Sequence, residues 1–276
     1  MEYEKIDDKL IGKGGYSTVY LCKKKGSDSN KRYAMKISEE LKNAKNFLQV
    51  EYKILQYLLG GIGIPKVYSF GRENNNNFYL VQQLLGNNLT QELKRYGNKI
   101  PKDIFIKMAI QMISRVEFLH SRGFIHCDIK PENFALSFNK DNNDFTVYLI
   151  DFGLVEPYIN LKTKEHRKLK EKKGHKGTMN FCSMNSHMEL SLSRRDDLES
   201  LAYCLIYLWA GKLPWSSGYK VYNNEVILNL KIEFSSYGYN SGAIPSNLMK
   251  FLDYVIKLKF EELPNYKYLK DLIREL

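Results

Sequence analysis

Cysteine is scarce: four residues in 276, at Cys22, Cys127, Cys182 and Cys204, widely scattered. With no CxxC pair and no metal-ligand spacing to histidine, a disulfide-stapled scaffold and a zinc-ribbon site are excluded. The thiols read as reduced, those of an intracellular protein in cytoplasm or nucleus. No apolar run approaches the roughly 18 to 20 residues that cross a bilayer. The longest, Leu201 to Gly211, contains Tyr203 and Tyr207 and reads as a buried helix, so no membrane role is expected. The start, Met1-Glu2-Tyr3-Glu4-Lys5, lacks the apolar stretch of a signal peptide. With 7 prolines, 18 glycines and 13% aromatics, a disordered or collagen-like chain is ruled out. Hydrophobic residues make up 43%, enough for the core of one large domain or two modest lobes.

Positive charge is plentiful, and it is local. Of the formal +11, the stretch Leu161 to Lys176 carries +6, with eight Lys/Arg against two Glu. Residues 1–84 carry +5, and the rest is near neutral. A nucleic-acid-binding protein is one reading of such a charge, but no groove-reading motif accompanies it.

The first 84 residues read as strands with one helix. Ile6 to Ile11, Thr18 to Cys22 and Arg32 to Ile37 are short and rich in β-branched or aromatic residues, between turn-forming clusters. From Leu41 to Leu59 the period becomes helical, with Phe47, Leu55 and Leu58 on one stripe interrupted by Glu51. Two more strands, Lys66 to Phe70 and Phe78 to Leu85, flank a turn at Asn74 to Asn77. Beyond Gly86 the chain is mostly helical. Pro101 to His120 has a broad apolar stripe, Val147 to Ile150 is a short strand, and Asp197 to Trp209 is apolar nearly all round, hence central. The expectation is a β-rich small lobe over residues 1–84 and an α-rich larger lobe over 85–276, with a ligand cleft between them.

Four local patterns carry chemistry. Ile11-Gly12-Lys13-Gly14-Gly15-Tyr16-Ser17-Thr18-Val19 joins two strands through a glycine-rich turn able to lay backbone N–H groups against phosphates, although a plain tight hairpin has the same signature. Tyr33-Ala34-Met35-Lys36-Ile37 places a lysine inside an apolar strand, where it needs an anionic partner. Glu51 can supply one; the alternative is that both are surface residues. His126-Cys127-Asp128-Ile129-Lys130-Pro131-Glu132-Asn133 follows the long helix, and Asp151-Phe152-Gly153 ends the short strand.

HxDxKxxN followed by DFG, downstream of a glycine-rich turn and an Ala-x-Lys strand, matches the protein-kinase signature set in order. The sequence therefore resembles a eukaryotic-type protein kinase over essentially its whole length. That resemblance implies an α+β bilobal fold: a small antiparallel sheet with one helix, then a larger mainly helical lobe with an activation segment over 151–185. It implies transfer of the γ-phosphoryl group of Mg·ATP to serine or threonine of protein substrates. Asp128 would orient the acceptor hydroxyl, Asn133 and Asp151 would hold Mg²⁺, and Lys130 would face the transferring group. Thr178 would bridge Asp128 and Lys130. Lys36, paired with Glu51, would reach the ATP phosphates beside the glycine-rich turn. Gln83 and Leu85 would offer backbone groups to adenine, Ile11, Val19, Ala34 and Ala135 would sandwich it, Ile150 would line the floor, and Gln82 would make the rear polar.

Ser193-Arg194-Arg195-Asp196-Asp197-Leu198-Glu199-Ser200-Leu201, Gly211-Lys212-Leu213-Pro214-Trp215 and Ser183-Met184-Asn185 resemble the casein kinase 1 superfamily, including its vaccinia-related branch. Two departures qualify the likeness. Cys127 stands where kinases usually carry the Arg that docks a phosphorylated activation loop, which argues against switching on by that route; constitutive activity is expected. Asn180 and Tyr222-Asn223-Asn224 stand where the family carries basic residues for primed substrates, leaving Lys162 to Lys176 as the expected attractor of acidic substrates. A monomer is expected. A pseudokinase scaffold is the rival reading, opposed by the presence of Lys36, Glu51, Asp128, Asn133 and Asp151.

Overall fold

The computed structural model describes residues 2–14, 17–27, 29–38, 47–73, 77–137, 145–171, 174–216, 223–237 and 244–276. Gly15, Tyr16, the start of the expected helix at Leu41, most of the Asn74 to Asn77 turn, Lys172, Lys173 and Tyr222 lie outside them.

The first part is an antiparallel sheet of β1 (Tyr3–Lys13), β2 (Thr18–Lys24), β3 (Tyr33–Ser38), β4 (Val67–Arg72) and β5 (Phe78–Gln83) in the order β1-β2-β3-β5-β4. Strand alternation sorts β3 by face. Tyr33, Met35 and Ile37 join Tyr3, Cys22, Tyr79 and Val81 in one apolar cluster. Ala34 and Lys36 therefore point to the opposite side, where α1 (Phe47–Tyr57) packs with Leu48, Glu51, Ile54 and Leu55 buried.

The second part is helical. It comprises α2 (Leu89–Arg95), α3 (Lys102–Ser121), α4 (Met184–His187), α5 (Arg194–Ala210), α6 (Asn224–Tyr237), α7 (Ser246–Lys257) and α8 (Tyr266–Arg274). Two short ribbons lie within it: β6 (Phe124–Ile125) with β9 (Glu156–Pro157), and β7 (Phe134–Leu136) with β8 (Val147–Leu149). As its composition predicts, α5 is central, with Leu198 through Ile206 all buried. Ser193 and Asp196 close a capping box at its start, and Gly211 ends it at φ 76, a left-handed position suited to glycine. α3 buries the expected stripe of Met108, Ala109, Met112, Ile113, Val116 and Leu119 against it. No helix among the described residues is long and apolar enough to cross a membrane.

Candidate active site

The site assembles where β3, α1 and two loops of the helical part converge. From β3, the Lys36 ammonium reaches Glu51 Oε2 of α1 at 2.7 Å and Asp151 Oδ1 at 2.9 Å. Lys36 and Glu51 are both buried, which a lone charge would not tolerate. Burial disfavours the ammonium, but the two carboxylates outweigh it and raise the Lys36 pKa. Burial likewise opposes ionisation of Asp151, yet Lys36 prevails and holds its carboxyl below the usual range. For Glu51 burial dominates over Lys36 and its pKa moves up.

The loop from His126 to Asn133 sits on a single carboxylate at the start of α5. Asp197 accepts hydrogen bonds from the amides of His126 at 2.6 Å and Cys127 at 2.9 Å, and from His120 Nε2 at 2.9 Å. Burial pushes the Asp197 pKa up, but these bonds win and it falls below the ordinary value. An acceptor-only Asp197 makes His120 Nε2 the donor, so Nδ1 accepts from the Tyr266 hydroxyl at 2.7 Å. Held this way, Cys127 takes a positive φ of 67 and Asp128 turns into the cleft.

Asp128 is bonded on every side. Lys130 Nζ lies 2.6 Å from Oδ2, the Thr178 hydroxyl donates to Oδ1 at 2.9 Å, and Lys130 Nζ also reaches Thr178 Oγ1 at 3.0 Å. Asn133 Nδ2 donates to the Asp128 carbonyl at 2.8 Å and to Oδ2 at 3.2 Å. Gly177 makes the Thr178 contact possible: at φ 88, a Cβ there would stand 2.8 Å from the Cys127 carbonyl oxygen.

Asp151 also takes a left-handed φ, 64, which turns its carboxylate toward Lys36 while the next residue, Phe152, is fully buried. The Phe152 ring packs against His126 at a centroid distance of 5.6 Å, and His126 Nε2 donates to the Ile150 carbonyl at 3.1 Å. In the glycine-rich turn, Gly12 pairs with Val19 and Lys13 with Thr18, and Gly14 N donates to Ser17 O at 2.8 Å. Ala34 pairs with Gln82 in the sheet. The Gln83 amide donates to the Lys66 carbonyl at 2.8 Å. Gly86 N bonds Leu136 O at 2.9 Å and Asn88 bridges Ala135, fastening the connection between the two parts to β7.

A family model for the protein kinase domain matches residues 5–270. The chain belongs to the protein kinase family. Its bilobal fold, its phosphotransferase class and its protein substrates follow from that membership, as does the general use of ATP and a divalent metal. The kinase's own donor set suits both. With Asn133 Nδ2 spent on Asp128, its Oδ1 joins the partly exposed Asp151 carboxylate as a pair of hard oxygen donors, flanked by the Lys36 cation.

The structure gathers Lys36, Glu51 and Asp151 into one cluster and Asp128, Lys130, Asn133 and Thr178 into another. Within the basic stretch, Arg167 turns inward to Glu156 at 2.9 Å and Lys176 forms a second ion pair with the same carboxylate. Lys162, Lys164, Lys168 and Lys170 remain exposed. Cys127 is buried and its thiol is pushed up by burial, so it acts as a small filler. Two kinase residues escaped the sequence reading in role: Asp197, one of the charged residues in the first turn of α5, and Lys231, a basic residue on α6.

Proposed function

We propose that this kinase is an active serine/threonine kinase of the casein kinase 1 superfamily, using Mg·ATP. One observation carries the reading: the Asp128 carboxylate is oriented by Lys130, Thr178 and Asn133 at once, beside an intact Lys36–Glu51–Asp151 cluster. A scaffold without chemistry has no need of a buried charge cluster that costs desolvation. Asp128 takes the proton of the acceptor hydroxyl as that oxygen bonds phosphorus and ADP departs. Lys130 faces the charge that develops on the moving group, and Lys36 steadies the phosphates. Mg²⁺, held by Asn133 Oδ1 and Asp151, neutralises phosphate charge when bound. The small lobe is taken to end at Leu84, with an activation segment over 151–185.

The superfamily reading is supported by a network joining its marker segments. Ser183 Oγ donates to Asp196 Oδ1 at 2.8 Å, Asn185 Nδ2 reaches the same oxygen at 2.9 Å, and Met184 N donates to Glu199 Oε1 at 2.7 Å. Ser-Met-Asn and the Asp-Asp-Leu-Glu-Ser helix start thus act together. The exposed lysines 162, 164, 168 and 170 favour acidic substrates by raising their local concentration.

The test is phosphoamino-acid analysis after labelling casein, an acidic protein, and histone, a basic one, with Mg·ATP. Phosphoserine and phosphothreonine without phosphotyrosine, and faster labelling of casein, are expected. Phosphotyrosine as the main product contradicts the specificity, and binding of ATP without transfer to either protein turns the reading to a scaffold.

A further inference from the structure

Lys231 of α6 is fully buried, yet among the described residues no carboxylate lies in contact with it. Its three N–H donors go to three acceptors: the Met179 carbonyl at 2.9 Å, the Cys182 carbonyl at 2.6 Å and His187 Nε2 at 2.9 Å. His187 is fixed for this task. Its Nδ1 lies 2.5 Å from Asn224 Oδ1, so Nδ1 carries the proton and Nε2 presents a lone pair to the ammonium. Burial and the adjacent Lys231 push the imidazole down to about 4, which keeps it neutral. The rings of Tyr203 and Trp215, at 4.8 and 5.5 Å, take the remaining faces of the cation.

All of this is directed at one loop. Thr178 bonds Asp128 and Lys130, so the residues that follow it start directly beside the catalytic aspartate. Lys231 holds the carbonyls of Met179 and Cys182, while the Trp215 indole donates to the Asn180 carbonyl between them at 2.8 Å. The amides of Phe181 and Cys182 both turn back to the Thr178 carbonyl at 2.8 Å. Three carbonyls are drawn inward by side chains, so the Met179 side chain is left facing outward, 37% exposed. An apolar residue in place of Lys231 avoids the cost of burying a charge. The charge is retained where it shapes a surface next to the reacting groups.

We propose that Lys231 is a positioning residue for the protein substrate, its ammonium holding the loop after Thr178 in the shape that receives the acceptor segment. The proposal rests on the kinase reading above and deepens it. The experiment compares wild type with Lys231→Met by steady-state kinetics, using whichever of casein and histone the wild type labels faster, and by amide hydrogen exchange. The expected result is a rise of about tenfold in KM for the protein substrate, with KM for Mg·ATP within about twofold, because only substrate-side binding is lost. Exchange at Phe181 and Cys182 should accelerate about tenfold alongside. Equal losses against both substrates, or unchanged exchange at these amides, overturn the proposal, as does faster exchange with an unchanged protein KM. If Lys231→Met does not fold, Trp215→Phe deletes the bond to Asn180 and keeps an aromatic, though smaller, side chain beside Lys231. A protein KM about threefold higher is then expected, and an unchanged one overturns the proposal. Failure of the wild type to label any protein contradicts the kinase reading itself, and shows before any variant is made.

Discussion

Asp197 makes no bond to Asp128, yet the placement of Asp128 depends on it. Its two oxygens satisfy the amides of His126 and Cys127, and its charge is kept by His120. In Asp197→Ala both amides lose a buried partner, at about 1–3 kcal/mol each, so stability falls. More telling is the kinetics: a loop displaced by about 1 Å costs roughly 10²-fold, so kcat should drop by that order while KM for Mg·ATP changes little. Stopped-time phosphate transfer with thermal denaturation measures both, and an unchanged kcat contradicts the role. At this scale the sequence was legible wherever a residue broke its surroundings. Lys36 in an apolar strand and Glu51 on an apolar stripe announced their pairing, and the structure joins them at 2.7 Å. Asp197 was visible as part of a family segment, but its role was not, because a helix-opening acid looks the same whether it caps its own helix or anchors a distant loop.

Between elements, the loop from Thr178 to Cys182 links the catalytic loop to α5 and α6, and its chemistry responds to pH. Burial pushes Lys231 down to about 8 against the pull of Cys182 and Glu199, from an ordinary value of 10.5. Cys182 on the loop, His187 on α4, and Glu199 and Tyr203 on α5 are the titratable groups facing it. The folded protein binds fewer protons here than the unfolded chain between about 8 and 10.5, so the contribution of Lys231 to stability rises with pH across that window. Substrate affinity should move the other way, as the ammonium that holds the loop is lost. Relative to Lys231→Met, wild type should gain thermal stability and lose protein-substrate affinity between pH 7 and about 9; parallel behaviour of the two proteins contradicts this. Periodicity gave the strands and α3 because each presents one apolar face, and α5 was legible from a run apolar nearly all round. Neither gave an account of Lys231, since a lysine on a helix reads as solvent-facing until the tertiary contacts of α4, α5 and the loop are known.

Across the whole molecule, the two parts meet at charges. Lys36 from the sheet and Asp151 from the helical part share a 2.9 Å bond, and Glu51 on α1 ties the helix to the same point. Bilobal architecture was legible because composition changes sharply after Gly86, from β-branched strands to helical stripes. Charge was less legible. Counting residues gives Leu161 to Lys176 a charge of +6, but the partly buried Glu156, between Arg167 and Lys176, pairs with two of those cations. Net charge is additive along a chain, whereas pairing depends on which side chains the fold turns inward.

The central claim is that Asp128 serves phosphate transfer to a protein hydroxyl, and its most direct test is labelled-phosphate transfer from Mg·ATP to protein by wild type and Asp128→Asn. Asparagine keeps the contact with Thr178 and cannot take a proton. Labelling should fall by about 10²- to 10⁴-fold with nucleotide binding retained. Equal labelling by the two proteins would contradict the account.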